Sequence, residues 1–191
     1  MNESPAKVKP VHAHAFFTLD LSGAFNQILC FDYHDPDAYY YKLLKDEKSY
    51  REELERLLAS MNDLLSSEEI RVNGVKVKAE ALMINLDFRG EAKRPTITFY
   101  IEFRGELKPG ENVYECVYEA GTAEYDYEVY WLLPRGSKIL RVETSTFYEI
   151  YDERFLIMWA RLGDRYDGYE KIVFKISPQT FQSSRSSRQA P

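Results

Sequence analysis

A chain of 191 residues that is 45% hydrophobic, 15% aromatic and 29% charged has the make-up of one folded domain with a substantial core, not that of a disordered chain. A net charge of -6 and a pI near 5.2 argue against a protein that grips nucleic acid by neutralising phosphates. No stretch approaches the roughly 18 apolar residues of a membrane span, and the opening "MNESPAKVKPVHAHAFF" holds no run of signal-peptide length, so a cytoplasmic location is expected.

Residues 1–10, with Pro5 and Pro10, read as a flexible lead-in to a single domain over 11–176. "VHAHAFFTLDL" and "AFNQILCFDY" have extended texture and flank Ser22-Gly23, which predicts a hairpin or a bent strand pair. Helix is predicted from Asp35, whose carboxylate can cap the free amides of a first turn, with Pro36 suited to the first helical position. A second start falls at "SYRE", where Ser49 and Glu52 have capping-box spacing. Leu54, Leu57, Leu58, Met61, Leu64 and Leu65 then recur at helical spacing. Two helices jointed near 46–48, or one bent helix, fit equally; the stripe and Tyr39–Tyr41 read as a face packed on a sheet.

After Ser67 the pattern becomes all strand. "VNGV" carries Asn73-Gly74, a type I′ hairpin signal. "VKAEALMINLDF", "TITFYIEF", "VYECVYEA", "AEYDYEVYWLL", "KILRVET", "FYEIY", "RFLIMWARL" and "GYEKIVFKI" follow, separated by turns. Successive strands without intervening helices predict an α+β fold: a mostly antiparallel β-sandwich or curved sheet with the helical segment, about 36–66, on one face. Residues 177–191, polar and serine-rich, read as a disordered tail. Glutamine is almost absent before it (Gln27 alone up to Ile176) while charge is plentiful, the balance of a protein built for high temperature.

The densest charge lies in "YECVYEAGTAEYDYEVYW". A two-residue turn at Gly121-Thr122 would set Tyr118 against Tyr125 and Cys116 against Tyr127 on one face. On the other, Glu119 would oppose Glu124 and Glu115 would oppose Glu128, with Asp126 alongside. Directly opposed like charges are unfavourable. Their counter-charge could come from neighbouring strands (Lys171, Lys175, Arg154 or Arg161), from a divalent cation, or from a basic protein partner. The sequence therefore favours a non-catalytic interaction or structural module. It would present Glu115, Glu119, Glu124, Asp126 and Glu128 to a basic protein partner, or bury the tyrosine face in a homo-oligomer.

Two alternatives come from other classes. His12 and His14 share one strand face, and His34 sits among Asp32, Asp35 and Asp37; brought together they could hold a transition metal and activate water in a metal-dependent hydrolase. A cavity between helix and sheet, lined by tyrosines, would instead make a carrier of a small apolar ligand. No cofactor is implied: GxGxxG, GxxxxGK[ST], GxSxG and HExxH are all missing, and Cys30 and Cys116 form no CxxC. Two buried, reduced thiols are expected.

Overall fold

The computed structural model describes residues 7–181. Two β-sheets face each other across one core, with a long helix laid against them. The seven-stranded sheet has the order β11-β12-β9-β1-β2-β6-β5, and the five-stranded sheet the order β10-β14-β7-β3-β4. In the first, the strands are β1 (Lys9–Leu19), β2 (Ala24–His34), β5 (Glu80–Asp87), β6 (Thr96–Arg104), β9 (Asp126–Leu132), β11 (Phe147–Tyr151) and β12 (Phe155–Ala160). In the second they are β3 (Glu69–Val72), β4 (Val75–Val77), β7 (Gly110–Val117), β10 (Ser137–Thr144) and β14 (Tyr169–Ile176). The fold is the α+β sandwich that the strand texture predicts.

Local chemistry explains the turns. Asn73 and Gly74 both take positive φ, 52° and 80°, as a type I′ hairpin between β3 and β4 requires. Between β1 and β2, Gly23 takes φ 83° and its carbonyl accepts from the Gly105 amide at 3.0 Å. Gly105 lies so close to the other sheet that an added Cβ would stand 2.5 Å from the Cβ of Val72. Glycine here lets the two sheets meet.

The helical segment is two helices, α1 (Tyr39–Leu43) and α2 (Glu47–Ser67). Asp35 does cap α1, but from five residues ahead: its Oδ2 accepts from the Tyr40 amide at 3.0 Å. The cap of α2 is Asp46, which accepts from the Lys48 amide and from the Ser49 hydroxyl, so Ser49 lies inside the first turn rather than at the cap. Met61 and Leu65 enter the core, and Asn62 ties the helix to β5 by exchanging two hydrogen bonds with Ala81, 2.9 and 3.1 Å. Glu68, with φ -82° and ψ 150°, breaks the helix and leads directly into β3.

The core centres on Trp131, 1% exposed, stacked on Phe17 with ring centroids 4.1 Å apart and 4.7 Å from Tyr114 of the facing sheet. Burying such a ring stabilises by about 3 kcal/mol. Its indole N–H finds no acceptor among the described residues, which offsets about 1–3 kcal/mol of that gain.

The ordered fold exceeds the predicted boundaries. Lys9 and Pro10 already belong to β1, and Phe181 packs into the core at 7% exposure. Residues 177–181 are therefore part of the domain, not of a tail; residues 1–6 and 182–191 lie outside the described residues. Both cysteines are buried free thiols.

Candidate functional site

The expected hairpin at Gly121-Thr122 does not form. β7 is occupied by β14 over eight rungs and by β3 over four, while β9 runs parallel to β1 from His12/Asp126 to Thr18/Leu132. Gly121-Thr122, as β8, pairs instead with β13 (Arg165–Tyr166). The stretch thus crosses from one sheet to the other. Tyr118, which the hairpin would have set against Tyr125, and Tyr127 instead line one interior space.

That interior holds a cavity of about 380 Å³. On the seven-stranded side it is lined by Ala13 and Ala15 of β1, Leu29 and Phe31 of β2, and Tyr127 and Val129 of β9. The facing wall is Ile70, Tyr114, Cys116, Tyr118 and Glu170, and α2 contributes Met61 and Leu65, followed by Glu68. Leu64, Thr122 and Glu124, all exposed, also line it, so the space communicates with solvent. The hollow has a local cause. At two successive inward positions β1 carries alanine, where a larger aliphatic side chain would fill the gap.

The cavity is polarised. Burial pushes Glu68 up to about 7, and burial, opposed by a hydrogen bond with Tyr114 and reinforced by the Glu68 charge, pushes Glu170 up to about 7. Both retain some accessible surface because they abut the cavity. Burial, then the tyrosine and carboxylate neighbours, raises Tyr127 to about 12 and drives Tyr114 and Tyr118 well above the usual phenol range. These hydroxyls stay protonated at neutral pH. No lysine or arginine among the described residues lines the space. The result is an aromatic chamber with two desolvated carboxyls, Glu68 and Glu170, and neither of those cations; His14, Glu124 and Glu128 also reach its lining.

On the opposite face of β1 stand His12 and His14, ring centroids 6.0 Å apart. His12 Nε2 lies 2.7 Å from Glu128 Oε2 on β9, and His12 Nδ1 lies 3.8 Å from Asp32 Oδ2 on β2. Burial, then the charge of Arg89, lowers His14. His34 shares this face of β2 but stands at the strand end opposite Lys9. The expected trio His12, His14 and His34 is replaced by His12, His14 and Asp32, whose ligand atoms all lie within 4.8 Å of one another.

The acidic residues are dispersed and largely answered within the chain. Glu115, on the outer face of the five-stranded sheet, meets Lys171 at 3.1 Å and accepts from the Tyr169 hydroxyl at 3.1 Å. Asp126 meets Arg161 at 3.1 Å and accepts from the Leu162 amide at 2.8 Å; Glu128 meets His12 and Arg161. Glu119 and Glu124 are exposed and form no ion pair among the described residues. The carboxylate ladder is absent because its members belong to different sheets. Sequence reasoning missed Glu68 and Glu170, whose burial no local pattern betrays, and missed what Ala13 and Ala15 leave open.

No protein-family model matches the chain, and no curated protein matches it. Among solved structures it is similar to leukotriene A4 hydrolase from Saccharomyces cerevisiae (11% identity, TM-score 0.34, covering 87% of this chain and 28% of that one). It is also similar to an M1 zinc metallopeptidase from Deinococcus radiodurans (8% identity, TM-score 0.37, 87% and 42%), and to a putative protease from Parabacteroides distasonis (8% identity, TM-score 0.35, 90% and 41%). The chain spans less than half of each. Likenesses this distant do not bear on function. No helix among the described residues is long and apolar enough to cross a membrane.

Proposed function

We propose that this chain is a small-ligand-binding module whose cavity takes an organic cation with an apolar body, such as a substituted ammonium. The observation that carries the reading is the pairing of Glu68 and Glu170 inside a tyrosine-walled space of about 380 Å³. A carboxylate taken out of water without a partner is costly, and the protein answers by holding it protonated. A cationic head entering the chamber restores the charged form, and aromatic faces attract it further, by about 0.5–2 kcal/mol per well-placed ring. Apolar walls accept the rest of the molecule.

The test is calorimetric titration with benzyltrimethylammonium, a permanent cation, beside a neutral benzyl compound of similar size. Binding should favour the cation, and Ala15→Phe, which fills the hollow from the wall of β1, should abolish it while the circular dichroism stays native. Equal affinity for both compounds, or binding indifferent to Ala15→Phe, would remove the basis of the reading.

A second reading, self-association, is favoured by β11. This edge strand is exposed along its whole length and carries Phe147, Tyr148, Ile150 and Tyr151; an unpaired edge of this kind templates pairing with another chain. Sedimentation velocity of the wild type against Ile150→Lys decides it: a dimer lost in the variant supports the reading, and a wild-type monomer at all concentrations rejects it. The docking surface for a basic partner now rests on Glu119 and Glu124 alone, the two of its five carboxylates with no ion pair among the described residues.

A further inference from the structure

We infer that the outer face of β1 is an open binding site for a divalent first-row transition ion, with His12 Nδ1, His14 and Asp32 Oδ2 as ligands and Glu128 as the residue that orients His12. Three adjacent strands supply these groups. β1 presents two imidazoles at alternate positions, so both project to the same side. Asp32 stands opposite His12 on β2, and Glu128 stands beside His14 on β9.

The hydrogen bonds set the roles. With the ring proton placed on His12 Nε2, Glu128 Oε2 accepts it at 2.7 Å, the tautomer we assign. That tautomer keeps its lone pair at Nδ1, the nitrogen turned towards Asp32. A carboxylate that accepts from one nitrogen while the other binds metal is the usual outer partner of a ligating histidine. Asp32 is held in the same manner: its Oδ1 accepts from the Thr96 hydroxyl at 2.6 Å and faces Arg89 at 3.7 Å, which leaves Oδ2 for an ion. His14 projects from the same face of β1 two residues on, its ring centroid 6.0 Å from that of His12. Arg89 and Arg161 offset the carboxylates without entering the ligand set.

Two imidazoles and one carboxylate select zinc, cobalt, nickel or iron over calcium or magnesium, which prefer all-oxygen cages. Ligand atoms around one tetrahedral zinc stand about 3.3 Å apart, given bonds of about 2.0–2.1 Å. The present spread, up to 4.8 Å, has to contract by up to about 1.5 Å to reach that geometry. Three protein ligands leave at least one position for water, the arrangement of a reactive rather than a purely structural site. The ion would also tie β2 to β1, the strand that walls the cavity from the other side.

The experiment is titration of the chelator-treated full chain at pH 7.5 with Co²⁺, followed by visible absorption, and with Zn²⁺, followed by calorimetry. One equivalent should bind, with cobalt bands of a low-symmetry site. His14→Ala and Asp32→Asn should each weaken binding at least about tenfold and Glu128→Gln by about 10–100-fold, while His34→Ala stays within about twofold. Nitrogen-15 spectra of the histidine rings should show His12 protonated at Nε2 in the wild type and not fixed there in Glu128→Gln. A wild-type titration without heat or cobalt bands overturns the site whether or not any variant folds. A loss on His34→Ala equal to that on His14→Ala overturns the ligand set, and an unchanged His12 tautomer in Glu128→Gln overturns the orienting role.

Discussion

Glu170 on β14 stands directly opposite Cys116 on β7, and both line the cavity. Neither environment welcomes a charge: burial, then the carboxylates of Glu170 and Glu68, drives the Cys116 thiol far above its usual range, while Glu170 itself is lifted to about 7.

Glu170 sets a pH dependence of known sign. Its folded pKa of about 7 stands above the ordinary 4.5, so the folded state keeps a proton that the unfolded chain has released. The associated stability is complete below about pH 4.5 and is lost as pH rises through 7, then levels off, for a total of about 3 kcal/mol. Glu170→Gln, which cannot ionise, should therefore gain stability over the wild type between pH 5 and 8 and flatten the profile. Urea unfolding at pH 4.5, 6 and 8 reads this directly. A variant curve parallel to the wild type would show that Glu170 titrates normally.

Gly105 and Val72 are coupled. Gly105→Ala drives a methyl to within 2.5–2.6 Å of three Val72 side-chain atoms, an overpacking that should destabilise by about 1–3 kcal/mol. Combining it with Val72→Ala, which removes two of those three atoms, should cost less than the sum of the single changes. Additive losses in a double-mutant cycle would place the strain elsewhere.

Trp131→Ala should cost about 3–5 kcal/mol, since it empties the space against Phe17 and Tyr114. A Tm lower by about 10 °C or more is expected for a chain of this length. Trp131→Phe should cost distinctly less than its lost volume implies, because the orphaned indole N–H goes with it. A scanning calorimeter ranks the two.

What could be read in the residues was local. Asn73-Gly74 gave its hairpin, Asp35 and the leucine stripe gave the helices, and the alternating runs gave the strands, because turn chemistry and side-chain period act within a few positions. Pairing was another matter. "YECVYEA" and "AEYDYEVYW" look like partners because they are neighbours in the chain, yet β9 pairs with β1 across more than a hundred residues, a choice set by two sheets needing separate inner faces. The same limit governed the sites. His12 and His14 could be placed on one strand face from their spacing, but Asp32, rather than His34, completes the cluster because of the β1–β2 register. Ala13 and Ala15, which alternate with those histidines, carried no chemical signal, although their small size makes the cavity.

The proposed ligand preference turns on whether the cavity favours positive charge, and the most direct measurement is the affinity of benzyltrimethylammonium as a function of pH in the wild type and in Glu170→Gln. Since the probe cannot titrate, its affinity should fall about tenfold per pH unit below pH 7 as Glu170 takes up its proton, and the fall should be shallower and the pH 8 affinity lower in Glu170→Gln. Affinity that is flat from pH 5 to 8 in the wild type, or undiminished in the variant, would contradict it.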